Sequence, residues 1–274
     1  MNLTGVQMGQ WPAHEPTKAE PHGKIGPLTF SMSAHELNFR STGRTHVGMV
    51  RSCNEDAFVE LPELGLWAVS DGMGGLRAGD VASQIIVSSL RDLKPPAKNG
   101  SVEIDVRNAL TRANKDLYAR GSTLPDDSLM GATVAAFIAD GQIFTCLWAG
   151  DSRLYRMRDG KMAQLTRDHR YVQELLDSGV LNEVEARQHP RRNVITRAVG
   201  VEKEVELAST EGTIAPGDLF MLSSDGVTAV CSDQELTEIF ASETNIDAAA
   251  DTIVARCLEG GAPDNLTLIL IAVS

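Results

Sequence analysis

The chain has only four cysteines, Cys53, Cys146, Cys231 and Cys257, and no two of them form a Cys-x-x-Cys pair. A thiolate metal site is therefore not expected. None has an arginine six positions later, so the thiolate phosphate loop of tyrosine phosphatases is absent. Cys146 and Cys257 lie on apolar faces and read as small buried hydrophobes. Such sparse thiols suit a reducing, cytoplasmic setting. No stretch reaches the roughly 18 apolar residues of a membrane helix. The N-terminus lacks the apolar core of a signal peptide. Runs of Lys or Arg are missing too, and the formal net charge is −12. Nucleic acid would be repelled over most of such a surface. Neither a membrane nor a nucleic-acid partner is expected.

What the chain does carry is acid in four separated clusters: Asn54-Glu55-Asp56, Asp71-Gly72-Met73-Gly74-Gly75, Ser224-Asp225-Gly226 and Asp264-Asn265. Three of them adjoin apolar runs that read as strands. These are Leu66-Trp67-Ala68-Val69 before Asp71, Leu219-Phe220-Met221-Leu222 before Asp225, and Leu266 to Val273 after Asp264. The first cluster has only Ala57-Phe58-Val59 behind it. A carboxylate at a strand end is held rigidly and points where the strand ends face. At ~4 Å and an effective dielectric near ~20, each like-charge pair costs roughly 4 kcal/mol. Such a cluster persists when a cation neutralises it. Hard oxygen ligands select Mg²⁺ or Mn²⁺ over zinc. Singly, each signal is weak, because Asp-Gly is a common turn dipeptide. Asp140-Gly141 and Asp159-Gly160 read only as turns, and Asp264-Asn265 alone would pass for a solvated one.

With 274 residues, 42% of them hydrophobic, the chain can bury one large core or two small ones. Residues 1–36 are rich in Pro, His, Lys and Gly without periodicity and read as a flexible extension. The compact domain is expected over 37–274. Helices are expected over 79–93, striped by Val81, Ile85, Ile86, Leu90 and Leu93, and over 102–119, striped by Val106, Ala109, Leu110, Ala113 and Leu117. Pro95-Pro96 separates them. A meander from Ala132 to Leu165 turns at Asp140-Gly141 and Asp159-Gly160, the hairpin signal. It is interrupted by Ala149-Gly150-Asp151-Ser152-Arg153. Residues 166–199 are polar and basic, with weak helical segments near 170–178 and 182–189. Pro216-Gly217-Asp218 opens a strand over 219–224, and helices near 233–241 and 246–259 precede a last strand over 266–273. Strands joined by hairpins as often as by crossovers favour an α+β fold of antiparallel sheets covered by helices.

Seven ordered stretches together resemble the metal-dependent serine/threonine protein phosphatases of the PP2C (PPM) family, bacterial branch. They are Gly48-Met49-Val50-Arg51-Ser52-Cys53-Asn54-Glu55-Asp56, Asp71-Gly72-Met73-Gly74-Gly75, Gly131-Ala132-Thr133, Ala149-Gly150-Asp151-Ser152-Arg153, Thr166-Arg167-Asp168-His169, Ser223-Ser224-Asp225-Gly226 and Pro263-Asp264-Asn265. Their order and spacing cover roughly residues 42–273. The resemblance implies an αββα sandwich, two antiparallel β-sheets flanked by helices.

It also implies roles. Asp71 matches a carboxylate bridging two metal ions, and Gly72 a ligand through its backbone carbonyl. Asp225 and Asp264 match further ligands of the first ion. Glu55 matches a ligand of the second through water, and Asp56 orients waters. Arg51 matches the phosphate-binding arginine, whose planar fork holds two oxygens at once. Asp151, with Asp225, matches the site of a weaker third ion. The implied catalysis is hydrolysis by hydroxide bridging two Mn²⁺ or Mg²⁺ ions, with Arg51 and the ions neutralising the phosphoryl oxygens.

Some positions depart from the pattern. Met73 stands, as in many bacterial relatives, where eukaryotic members carry a histidine. Leu76 stands where relatives often have histidine, and Ala229 replaces an acidic residue found in many members. No general acid is identified. His169 is a candidate only by elimination, and a structural histidine is the alternative. Residues 166–199 match the family's flap. Its Arg167, Arg170, Arg191 and Arg192 either face acidic or phosphorylated substrates or form a solvated basic loop.

The implied function is dephosphorylation of phosphoserine and phosphothreonine in a protein substrate, opposing a bacterial Ser/Thr kinase. A monomer is expected. Leu61 to Val69, Asp126 to Gly131 and Cys146 to Asp151 further resemble phosphatases associated with type VI secretion. Two alternatives compete. A catalytically inactive phosphatase-like binding module would lack core carboxylates, and all are present. A two-metal nuclease conflicts with the −12 charge.

Overall fold

The computed structural model describes residues 37–73, 78–96, 100–124 and 130–274. The 1–36 extension, Gly74, Gly75, Leu76 and Asp126 to Leu129 lie outside the described residues. All described residues fall within one compact unit, Glu36–Ser274.

Two antiparallel sheets form the centre. One has the order β1 (Phe39–His46), β11 (Leu266–Val273), β10 (Leu219–Ser223), β7 (Arg153–Arg158), β8 (Lys161–Gln164). The other runs β2 (Asp56–Leu61), β3 (Leu66–Met73), β5 (Val134–Asp140), β6 (Ile143–Ala149), β9 (Ala208–Thr213), with the short β4 (Gly131–Ala132) paired to the end of β3. Helices α1 (Ala78–Arg91) and α2 (Val102–Gly121) cover the second sheet, and α5 (Asp225–Thr228), α6 (Asp233–Ser242) and α7 (Ile246–Glu259) cover the first. Helices α3 (Tyr171–Asp177) and α4 (Glu183–Gln188) belong to the flap.

Period-2 alternation builds three apolar layers from the same strands. In β3, Leu66 and Ala68 pack under α1 and α2, while Trp67 and Val69 face the opposite sheet. In β11, Leu266, Leu268 and Leu270 pack against α5 and α7, while Ile269, Ile271 and Val273 face inward. The inner seam is aromatic. Phe137 of β5 meets Phe220 of β10 across the sheets at 4.6 Å between ring centroids, and Trp67 stands 5.8 Å from Phe137. Such pairs add about 0.5–1.5 kcal/mol beyond area burial.

The expected stripe of α2 is buried in full: Val106, Ala109, Leu110, Ala113 and Leu117. Ser101 caps this helix by accepting from the Ile104 amide. In α1 the stripe is shifted. Ala78, Ala82, Ile86 and Leu90 form the buried face, and Val81 is 39% exposed. The β7–β8 hairpin turns at Asp159 and Gly160 with φ of 51° and 70°, the double left-handed turn that matches strand twist. Strands β1 and β9 were not anticipated. Both are mostly polar strands at sheet edges, and β9 (Ala-Ser-Thr-Glu-Gly-Thr) has no fully buried residue. Their sequences carry little of the hydrophobic signal by which strands are read.

Candidate active site

The four acidic clusters meet at one end of the sandwich. Strand β2 starts at Asp56 and β3 closes through Asp71, and the register places these two directly opposite each other. Strand β10 ends at Ser223, just before Asp225 opens α5, while β11 starts just after Asp264 and Asn265. Since β10 and β11 are antiparallel, the end of one lies beside the start of the other. Ser224 joins the two sheets there: its Oγ donates to Asp56 Oδ2 at 2.7 Å and accepts from the Thr267 amide at 2.9 Å.

Asn265 fastens the loop that carries Arg51 and Glu55. Its Nδ2 donates to the carbonyls of Val47 and Cys53 at 2.8 and 2.9 Å, and its Oδ1 accepts from the Glu55 amide at 2.8 Å. Sequence reading assigned no role to the side chains of Ser224 or Asn265. Their only signal was position beside an acid at a strand end. Thr133 holds the Asp71 backbone, accepting from its amide at 3.0 Å and donating its own amide to the Asp71 carbonyl at 2.8 Å. Gly72 is required by contact: a Cβ there would stand 2.0 Å from the Gly79 carbonyl oxygen and 2.7 Å from that of Glu55.

Two arginines reach into the cluster. Arg51, half-exposed at the rim, donates from Nη2 to Asp264 Oδ2 at 2.7 Å. Arg170 donates from Nε to Asp151 Oδ2 at 2.5 Å and from Nη2 to Asp225 Oδ2 at 2.7 Å. The site residues expected from sequence are thus drawn together. Asp56 and Asp71 are opposed across two strands, Asp151 and Asp225 share one guanidinium, and Asp264 holds Arg51.

Burial and mutual repulsion strain the acids. Burial, then Asp56, Asp225, Asp151 and Asp264, push the Asp71 carboxyl well above its usual range. Burial pushes Asp56 up to about 6 against the Ser224 hydrogen bond. Burial and Asp151 push Asp225 up to about 7 although Arg170 opposes them. Burial also raises Glu55.

Among the described residues, no three His, Cys, Asp or Glu side chains form a ready-made ligand cluster. The donor set for two inner cations nevertheless suits hard divalent ions. Asp56 Oδ1 is a buried oxygen without a partner among the described residues. Asp71 sits where four other carboxylates raise its proton affinity, which is where a dication relieves most repulsion.

His169 is a structural tie. Its Nδ1 accepts from the Gly150 amide at 3.1 Å, its own amide donates to the Gly150 carbonyl at 2.9 Å, and its ring stacks on Trp148. The flap arginines divide. Arg167 pairs with Asp177, Arg191 lies over the Tyr171 ring at 4.0 Å, and Arg192 is exposed. Arg170 fits neither reading of a basic flap, since it faces the acidic centre. A cleft of about 290 Å³ opens beside Met73, between residues 195–198 and 201–206.

A sequence model of one family, protein phosphatase 2C, matches residues 42–267. The serine/threonine protein phosphatase PstP of Mycobacterium tuberculosis is 34% identical over 239 residues, covering 87% of this chain and 46% of PstP. The chain thus spans about half the length of that curated relative. The solved structure of PppA, a key regulatory component of the T6SS in Pseudomonas aeruginosa, has 40% identity and a TM-score of 0.78, covering 86% of this chain and 98% of PppA. The PstP catalytic domain in complex with two manganese ions has 33% identity and a TM-score of 0.77, covering 86% of this chain and 99% of that domain. These structures share the pair of antiparallel sheets flanked by helices described above. By sequence and fold alike, the chain belongs to the protein phosphatase 2C family.

Proposed function

We propose that this chain hydrolyses phosphoserine and phosphothreonine esters in proteins, using divalent cations held by its acidic centre. The observation that carries this is Asp71, opposite Asp56 and under the repulsion of Asp225, Asp151 and Asp264, with Arg51 at the rim. In this reading Asp71, the Gly72 carbonyl, Asp225, Asp264, Glu55 and Asp56 would together hold the two inner cations. Bound Mn²⁺ or Mg²⁺ would supply an activated water and neutralise charge on the phosphoryl group.

The chain's own groups do the rest. Arg51 is exposed enough to leave Asp264 and bring two parallel N–H donors to phosphoryl oxygens. Ser224 and Asn265 hold Asp56, Asp264 and Glu55 in place, so the oxygens need little reorganisation. The cleft beside Met73 offers a path for the peptide flanking the phosphoresidue. Presence of every core carboxylate favours an enzyme over an inactive binding module.

The catalytic unit in this reading is residues 37–274, with 166–199 as the flap. We further propose a cytoplasmic monomer opposing a Ser/Thr kinase, and, by its likeness to PppA, a place in controlling type VI secretion. Phosphate release from a phosphothreonine peptide tests the activity. Release with Mn²⁺ or Mg²⁺ and none with a chelator is expected; release undiminished by chelator would refute the metal-dependent reading. Failure to reverse phosphorylation by a type VI secretion kinase would remove only the pathway assignment.

A further inference from the structure

We infer that Arg170 is a positioning residue that acts as a built-in cation for the outer carboxylate pair, Asp151 and Asp225, in place of a third divalent ion. In doing so it ties the flap to the catalytic centre. The inference rests on the two-cation reading above and departs from the third ion that the family resemblance implies.

The two acids come from separate connections of the fold. Asp151 follows β6, is only 1% exposed, and belongs to the loop into β7; Asp225 opens α5 after β10. One guanidinium spans them, with bonds of 2.5 and 2.7 Å, and Asp168 lies 4.0 Å from its Nε. The planar fork aims its donors along fixed, separate directions at the two carboxylates, whereas an ammonium carries the same charge without that fixed geometry.

The backbone around Arg170 is fixed independently of that side chain. The His169 amide and ring bind both backbone groups of Gly150, the Tyr171 amide donates to the Val194 carbonyl at 2.9 Å, and the Thr196 amide donates to the His169 carbonyl at 2.8 Å. The fork is therefore delivered already aimed. A dication seated between the same two oxygens would have to expel the guanidinium or stand against its charge. Position 229 is alanine and adds no carboxylate, its amide closing α5 onto the Asp225 carbonyl, and the nearby Asp168 is already held by the Arg153 fork at 2.8 and 2.7 Å. Asp151 keeps one buried oxygen, Oδ1, without a partner among the described residues, so the guanidinium satisfies the facing oxygens of the pair and takes the place between them that a third ion would need.

Manganese stoichiometry by equilibrium dialysis of the full chain is the test. Wild type is expected to take up two Mn²⁺ per chain, and Arg170→Ala is expected to gain a third, weaker one. Arg170→Gln, which keeps the length and hydrogen-bonding capacity but removes the charge, repeats the count if the alanine variant does not fold. Three ions on wild type, or two on the neutral variants, would overturn the inference. The tether is read separately by protease cleavage within 166–199 of the Mn²⁺-loaded protein, expected to be about tenfold faster in either neutral variant. An unchanged cleavage rate would overturn that part. Wild type binding no Mn²⁺ at all would sink the two-cation reading itself, whereas three ions would leave that reading standing and remove only the arginine's role.

Discussion

The inner seam and the acidic mouth are consecutive stretches of the same strand faces. Trp67 and Val69 alternate along β3 into Asp71; Phe220 and Leu222 lead along β10 to Ser224; Ile271 and Ile269 run back along β11 to Thr267. Within two residues the inward face passes from fully buried hydrocarbon to the Asp71 carboxylate or to the hydroxyls of Ser224 and Thr267 beside the other acids. Further in, those acids would be without water or counter-ion. Further out, they would lose the rigid strand ends that aim them. The seam supplies the stability that the mouth spends in repulsion, and the two should respond oppositely to mutation.

The largest contrast comes from Asp71→Asn. Phosphatase activity should fall about a thousandfold, while the metal-free protein should unfold at higher urea because one buried charge is gone. Equal or lower urea resistance would contradict the repulsion. Phe137→Ala should do the reverse, costing about 3–5 kcal/mol of stability in urea titration with turnover of the remaining folded protein nearly intact.

Asp218, at the far end of β10, sharpens the comparison through pH. Burial pushes its carboxyl up, but Arg158 and the Ala215 amide outweigh that and leave it below the usual value. Its contribution is present at neutral pH, above the unfolded value, and is lost as pH falls through the lowered folded value. Asp56 and Asp225, pushed up to about 6 and about 7, act with the opposite sign in the metal-free chain. They destabilise it above those values, and the penalty fades on acidification towards the ordinary carboxylate range. Metal-free stability should therefore rise as pH drops from 8 to about 5 and fall below that; Asp218→Asn should flatten the acid limb and cost about 1–3 kcal/mol at neutral pH. The smallest effect is expected from Ser232→Ala, which removes the capping box of α6 for about 1 kcal/mol and leaves the pH profile untouched.

Much of this was legible in the sequence because it rests on local rules. The helices over 233–242 and 246–259 end within a residue of their expected bounds, set by apolar stripes and Ser or Asn caps. The Asp-Gly turns fell where the hairpins close. The acids were found through their apolar neighbours. What stayed hidden was long-range. Nothing in Phe39–His46 announces a partner in Leu266–Val273, since only Thr42 of that strand is fully buried. The place of Arg170 between two acids depends on the flap folding back, which no local period encodes. Ser224 and Asn265 look like ordinary turn residues until their partners on the other sheet are seen.

Strand β11 is the last of the described elements, yet it lies between β1 and β10 rather than at an edge. During synthesis on the ribosome, the half of the molecule built on β2, β3, β5 and β6 can collapse around α1 and α2 while β1 still has no neighbour. Asp264 and the strand that braces it arrive only afterwards. A nascent chain therefore holds Asp71 long before it can assemble a competent centre, and premature termination anywhere upstream should leave an inert product rather than an unregulated one.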